Sequence, residues 1–387
     1  MFRYISRLLS FVLILVVFGC QAVPPGDSLE KLRSLPRMES LMPYRQMLDI
    51  SFPVANNEHR GYAVISYAVL GDPTKPVLIF VPGYPGGMGT ASGLFFGANS
   101  DGVGGLINDF RVIIVELPGQ GMTQIVDQVG AVEDFENLVY FLDKFIFAIS
   151  KRELHGRKFH LVGHSYGAEV CWRYAARNPE AISSLTLIDA SGFRREKSEI
   201  AASEKHSLEL LSRAAVQLNS ESGRKELAGA AKRKEADADI RQGFVNHELL
   251  QRLKIDDEYW CYASTRGNLI WTMQLTHQDI KRRDEAFTRT SLSILNDRKR
   301  AQFRTLLIWG DKDPWYTVKS QGSRFLECID RSILIVLKDC GHCPHEEFPG
   351  RVASTIRKFA GVPNITLPVE YFVDIKLGRG IEVPPQK

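Results

Sequence analysis

The chain has 387 residues, 44% hydrophobic and 24% charged, which is long enough for one large domain or two smaller ones with a full core. Its formal charge is +4, or +2 without Arg3 and Arg7 of the N-terminal leader, so it lacks the dense basic surface of a nucleic-acid binder. No nucleic-acid partner is expected.

The leader, MFRYISRLLSFVLILVVFGC, carries two arginines, an apolar run over 8–18 broken only by Ser10, then Gly19 and Cys20. That run is shorter than the ~20 apolar residues of a comfortable spanning helix and has the layout of a secretory signal. The block VFGC resembles the lipobox of bacterial lipoproteins, where cleavage precedes a Cys that carries the lipid. The resemblance implies a signal peptide over 1–19, lipidation at Cys20 and a body anchored in the cell envelope. Gln21 fits outer-membrane sorting with the body facing the periplasm. An uncleaved N-terminal anchor is the alternative, and both put the body outside the cytoplasm. Residues 20–60, with VPPGDS and scattered charges, read as a tether and a loosely packed lead-in.

Apolar and β-branched strand signals follow at 62–69, 77–81, 112–117, 159–162, 185–188, 306–309 and 333–337. Amphipathic stretches such as VEDFENLVYFLDKFIFAI and AEVCWRYAARN lie between them. This alternation predicts an α/β fold with a mostly parallel sheet and helices on both faces. Such sheets carry their functional residues at the carboxyl ends of the strands. Residues 192–300 interrupt the rhythm: they are rich in Glu, Lys, Arg and Ala, lack a convincing strand and read as a helical cap inserted into a core made of 61–191 and 301–361. The aromatic-rich YWCYASTRGNLIWTM is either the cap's own small core or a substrate wall. The tail, 362–387, either adds an edge strand or lies against the body.

The stretch FHLVGHSYGAE ends an apolar run in Ser165, with Gly163 and Gly167 two positions either side. A Ser at the tip of a sharp strand-to-helix turn needs a strained backbone, and side chains at those flanking positions would strike the strand and the helix. Four blocks in order, VELPGQGMT, GHSYGAE, IWGDKDPW and GHCPHEEFP, make the chain resemble the α/β-hydrolase-fold serine hydrolases. The resemblance runs over 62–360, excluding most of the insertion.

A Ser hydroxyl is a weak nucleophile at neutral pH and needs a base; His has a suitable pKa, and a carboxylate behind it fixes the tautomer. His342, after the last predicted strand, and Asp313, after the strand before it, complete the candidate triad with Ser165, in the chain order expected for this fold. Asp189, in LIDASG, is the serious rival for the acid, since it also ends a strand at the active edge. His164 reads as packing beneath the elbow, His345 as a weaker competitor of His342, and Asp311 as a turn residue. The backbone N–H of Tyr166 and, by alignment with the family, that of Tyr84 in PGYPGGMG are the candidate oxyanion donors. Pro82 stands where the family usually has His, so the usual ring brace of that loop is missing.

Cys340 and Cys343 spell CGHC around His342, which matches a disulfide-isomerase motif in the wrong place in the fold. The spacing of the His and Cys residues is not that of a known zinc site, and no metal or cofactor is required. The leading expectation is therefore a serine hydrolase acting on a small-molecule acyl substrate, a carboxylic ester or thioester. A proline iminopeptidase-like activity, which GYPGG faintly resembles, and a non-catalytic binding protein on the same fold are the alternatives. The sequence carries no signal for the oligomeric state.

Overall fold

The computed structural model describes residues 36–53, 60–84, 86–97, 105–118, 120–125, 135–194, 243–253, 285–361 and 372–377. Ten strands form one sheet: β1 (Arg45–Pro53), β2 (Arg60–Leu70), β3 (Val77–Val81), β4 (Arg111–Val115), β5 (Gln124–Ile125), β6 (Phe159–His164), β7 (Ile182–Ile188), β8 (Thr305–Gly310), β9 (Ser332–Leu337) and β10 (Phe372–Leu377). The order across it is β1-β2-β4-β3-β6-β7-β8-β9-β10, with β5 paired to β2. From β4 to β9 every pairing is parallel, and antiparallel strands close both edges. The α/β-hydrolase architecture expected from the sequence is present.

Alternate residues of one strand enter opposite cores, as a parallel sheet covered on both faces requires. In β3, Val77, Ile79 and Val81 join one core while Leu78 and Phe80 join the other. The first core is covered by helices α1 (Phe135–Ile149), α2 (Ser165–Arg177) and, through Phe325, α5 (Ser323–Cys328). Along α1, Leu138, Leu142, Phe145 and Ile149 recur at helical spacing and are all buried, so one stripe of that helix faces the sheet. The second core is closed by α6 (Pro349–Phe359) through Val352 and Ile356. Further described helices include α3 (His247–Leu253) and α4 (Glu285–Ser293).

Two boundaries differ from the sequence expectation, and the tail takes one of its two expected forms. The supposed loose lead-in is built into the fold from Pro36 onward: Met38 and Leu41 are fully buried, and β1 pairs with β2 along its length. The cap boundary at 300 is also too late. Leu292 of α4 and Leu295 belong to the first core, and Thr288 Oγ1 donates to the Gly192 carbonyl at 2.9 Å, so 285–300 is part of the core. In the tail, Phe372–Leu377 adds an antiparallel edge strand on β9. The leader with Cys20, most of the expected helical cap (195–242 and 254–284) and with it the aromatic stretch 259–273 lie outside the described residues.

A buried polar bracket ties the front of the chain to the loops above the sheet. Glu116, fully buried just after β4, accepts the N–H of Met88 through Oε1 and that of Met122 through Oε2, both at 2.9 Å. The same Oε2 lies 3.0 Å from the Arg45 guanidinium of β1, whose side chain is almost wholly buried. Breaking a buried ion pair from one side leaves a charge with no partner, and here two N–H groups as well. Glu116→Ala is expected to lower unfolding free energy by about 3–5 kcal/mol, read as a shift in the urea midpoint at constant slope. An unshifted midpoint would show that the bracket does not support the fold.

Candidate active site

Ser165 opens α2 directly behind β6 with φ of +52°, a left-handed conformation that costs a non-glycine residue energy and is held only where the surroundings enforce it. Those surroundings are tight. A Cβ on Gly163 would sit 2.6 Å from the Ala168 Cα, and one on Gly167 would sit 2.2 Å from the Pro82 carbonyl oxygen. The two glycines let α2 and the β3 loop close on the elbow, as the sequence spacing suggested.

Because β6, β7, β8 and β9 run parallel and in register, their carboxyl ends share one edge. Ser165 follows β6, Asp189 follows β7, Asp313 follows β8 and His342 follows β9. His342 Nε2 lies 3.0 Å from Ser165 Oγ, and His342 Nδ1 lies 2.7 Å from Asp313 Oδ2. The N–H groups of Trp315 and Tyr316 donate to the other Asp313 oxygen at 2.8 and 3.0 Å, which fixes the carboxylate. Trp315 and Tyr316 also flank the His342 ring, with centroids 4.8 and 5.5 Å away. All three candidate side chains are nearly excluded from solvent.

Asp189 makes no hydrogen bond to His342. Its Oδ1 accepts the Gly310 N–H at 3.1 Å, while its buried Oδ2 receives no N–H donor. Its carboxyl, the Asp313 carboxylate and the His342 ring offer atoms within 4.8 Å of one another. Burial, then the Asp313 charge and a hydrogen bond shared with that residue, push the Asp189 pKa well above the usual carboxylate range. A protonated Asp189 donating to Asp313 satisfies the orphaned oxygen. Both His342 nitrogens are committed within the relay, so the cluster leaves no ring nitrogen for a metal.

Beneath His342 lies a column of two more imidazoles. His164 Nε2 donates to the His342 carbonyl at 2.7 Å, and the His345 ring stacks on His164 at 4.3 Å. Burial lowers the pKa of both, that of His345 to about 3, so both are neutral at ordinary pH. His164 therefore packs and hydrogen-bonds under the elbow, as expected, and it is His342 rather than His345 that meets Ser165. Asp311 accepts the Cys340 N–H at 3.1 Å and braces the turn. Cys340 and Cys343 are both buried and form no disulfide with each other, and burial raises the Cys340 pKa.

The loop with Tyr84 lies against the start of α2, and the Tyr84 and Tyr166 rings meet edge to face at 6.4 Å. N–H groups in a helix's first turn point out of its N-terminal end, which is where Ser165 stands. The brace absent at Pro82 is supplied by a residue that sequence reasoning passed over. Gln120 donates through Nε2 to the carbonyls of Pro82 and Gly83 at 2.7 and 3.2 Å, and its Oε1 accepts the Leu117 N–H. The only sequence signal for it was its place in LPGQG.

An alcohol, an imidazole and a carboxylate in this order let the imidazole take the alcohol's proton as the alcohol attacks a carbonyl, with the carboxylate stabilising the imidazolium. If Asp313 is the carboxylate that sets the His342 tautomer, Asp313→Asn lowers kcat about 10³- to 10⁴-fold. Asp189→Asn, whose amide still donates to Asp313, stays within about 10-fold. Turnover of p-nitrophenyl acetate by the two variants distinguishes them, and the reverse ranking would transfer the role to Asp189.

A family model described as the alpha/beta hydrolase fold matches residues 76–349. Among curated relatives, a 1-acylglycerol-3-phosphate O-acyltransferase of Arabidopsis thaliana is 33% identical over 147 residues, 38% of this chain and 32% of that protein. A monoacylglycerol lipase of Xenopus laevis is 37% identical over 90 residues, 22% of this chain and 24% of that one. The chain thus spans about a third or less of the length of the curated relatives it matches. Among solved structures, a thermophilic esterase from Thermogutta terrifontis has a TM-score of 0.57 at 18% identity, covering 81% of this chain and 97% of that one. A membrane phospholipase A has a TM-score of 0.55 at 23% identity, covering 94% and 100%. The family match, the sheet order and the elbow agree: the chain belongs to the alpha/beta hydrolase fold family.

Proposed function

We propose that this hydrolase is a serine esterase that cleaves a carboxylic ester of an apolar acyl chain through an acyl-enzyme intermediate. The observation that carries the proposal is the unbroken string Ser165–His342–Asp313, at 3.0 and 2.7 Å. Ser165 Oγ attacks the ester carbonyl while His342 Nε2 takes its proton, and Asp313 stabilises the imidazolium. The N–H groups of Tyr166 and Tyr84 donate to the oxyanion. Collapse breaks the bond to the alcohol, which leaves with the proton from His342. Water, losing a proton to His342, then attacks the acyl-enzyme, and a second collapse releases the carboxylic acid and restores Ser165. No step calls for a cofactor.

Beside the Ser165 elbow the side chains of Tyr84, Leu117, Pro118, Leu138, Tyr166 and Val170, with Gln120, form a mainly apolar wall, which favours an apolar over a charged group on the substrate there. The names of the curated relatives, an acyltransferase and a lipase, also favour acylglycerol-like esters over peptides. The first of those names favours a second reading, in which an alcohol rather than water accepts the acyl group from Ser165.

Ser165→Ala is expected to reduce ester turnover at least about 10⁴-fold with the fold retained. The unsubstituted protein should cleave p-nitrophenyl esters with a preference for longer chains and leave proline anilides intact. With monoacylglycerol as donor and 1-acylglycerol-3-phosphate as acceptor, mass analysis of the lipids separates free acid from transferred acyl. Full activity in Ser165→Ala would end the proposal.

We further propose that cleavage before Cys20 and lipidation of its thiol tether the body to the envelope, on the outer membrane facing the periplasm. Among the described residues no helix is long and apolar enough to cross a membrane. Cys20→Ala is expected to move the protein from the membrane to the soluble fraction without changing kcat. Continued retention in the membrane fraction would favour the uncleaved anchor.

A further inference from the structure

One buried carboxylate joins His342 to a distant part of the chain. Glu347 ends the short helix Pro344–Glu347 and is 7% exposed. Its Oε1 accepts the N–H of Gly341, the residue before His342, at 2.7 Å. Its Oε2 accepts the N–H groups of Val245 and Asn246, at the start of α3, at 2.8 and 2.9 Å. A second bond runs directly between the same two segments: the His342 N–H donates to the Gly243 carbonyl at 2.6 Å.

The apolar contacts follow the same seam. Phe244, Leu249 and Leu250 form a small buried cluster with Cys343, the residue after His342. A Cβ on Gly341 would stand 2.2 Å from the Gly243 oxygen, so this close approach depends on a glycine there. Asn246 Oδ1 accepts the Leu249 N–H at 2.9 Å and starts α3 at the point where Glu347 holds its backbone. Burial raises the Glu347 pKa, and the N–H groups of Asn246, Gly341 and Val245 pull against that rise.

We propose, on the footing of the serine reaction above, that Glu347 is a positioning residue through which residues 243–246 hold the His342 backbone at the height its ring needs to reach Ser165. Residues 341–343 are gripped on both sides of the histidine, by Glu347 at Gly341 and by the Phe244 cluster at Cys343. The Nδ1 bond to Asp313 fixes which way the ring points, whereas the clamp fixes where the ring starts from. Those are separate constraints, and a displacement of about 1 Å at a reacting group is enough to cost ~10²-fold in rate.

Labelling of Ser165 by a fluorophosphonate probe tests this, because the Ser165 oxygen must form its bond to phosphorus as fluoride leaves and His342 takes the proton. Two quantities are read, the fraction labelled at completion and the rate constant. A purely structural role for Glu347 would lower the fraction that is folded and labelled, and leave the rate constant of the folded protein alone. Glu347→Gln, of the same shape but with an amide facing one set of N–H donors, is expected to label to the wild-type endpoint about 10- to 100-fold more slowly. Val245→Pro, which removes one donor while leaving Glu347 in place, is expected to slow labelling several-fold and serves if the first variant fails to fold. Wild-type rate constants in the variants that fold would overturn the clamp alone. A wild-type protein that the probe does not label would overturn the serine reaction itself, and the clamp with it.

Discussion

The hydrogen bond from His342 Nδ1 to Asp313 Oδ2 is possible only because β8 and β9 are parallel neighbours in register. Two residues of one strand pair cannot serve, since successive side chains alternate between the two faces. The chain instead runs past the end of each strand and turns back over the edge, β8 by way of Asp313 and β9 by way of His342. The same edge receives Ser165 from β6, with β7 between it and β8. Every other feature of the site, from the strained φ at Ser165 to the bracing of the neighbouring loops, keeps those crossings in place.

Bracing is done mainly by buried side chains that bond to backbone. Gln120 holds the carbonyls of Pro82 and Gly83, Glu116 holds the N–H groups of Met88 and Met122, and Glu347 holds those of Gly341, Val245 and Asn246. Loops have no ladder of their own, so when they are buried their N–H and C=O groups need partners from elsewhere. A side chain that meets two loops at once both satisfies those groups and fixes the distance between the loops. Substituting such a residue therefore acts on geometry as well as stability.

The parts that were legible in the sequence are those encoded by local pattern. β3 is a five-residue run bounded by Pro76 and Pro82, and its limits agree residue for residue with the expectation. The elbow was legible because its glycines answer a local steric need. β1 was missed because its alternation is disguised: Ile50 is buried, but Met47 is half exposed and Arg45 and Asp49 lend the stretch the charge of a linker. The charge of Arg45 is in fact matched by Glu116, far along the chain. Gln120 and Glu347 were passed over for the same reason. Their partners lie in other segments, and no short pattern records a bond to backbone across 37 or 102 residues. The sequence ranked Asp313 above Asp189 only through the chain order expected for the fold, because both end strands at the same edge.

The two aspartates show how position along that edge decides chemistry. Asp313 lies in a turn whose Trp315 and Tyr316 N–H groups face one of its oxygens, and its other oxygen meets the His342 ring. Those partners fix both of its oxygens in place. Asp189 follows its strand so directly that it takes a φ of +41°, and it meets a single N–H and a neighbouring negative charge. Its surroundings favour the neutral acid. Two ionised carboxylates so close in a buried site would repel each other, so one proton shared between them lets both remain where the strands put them. Asp189 then acts as a donor that steadies Asp313, the residue whose geometry brings a carboxylate oxygen to His342 Nδ1.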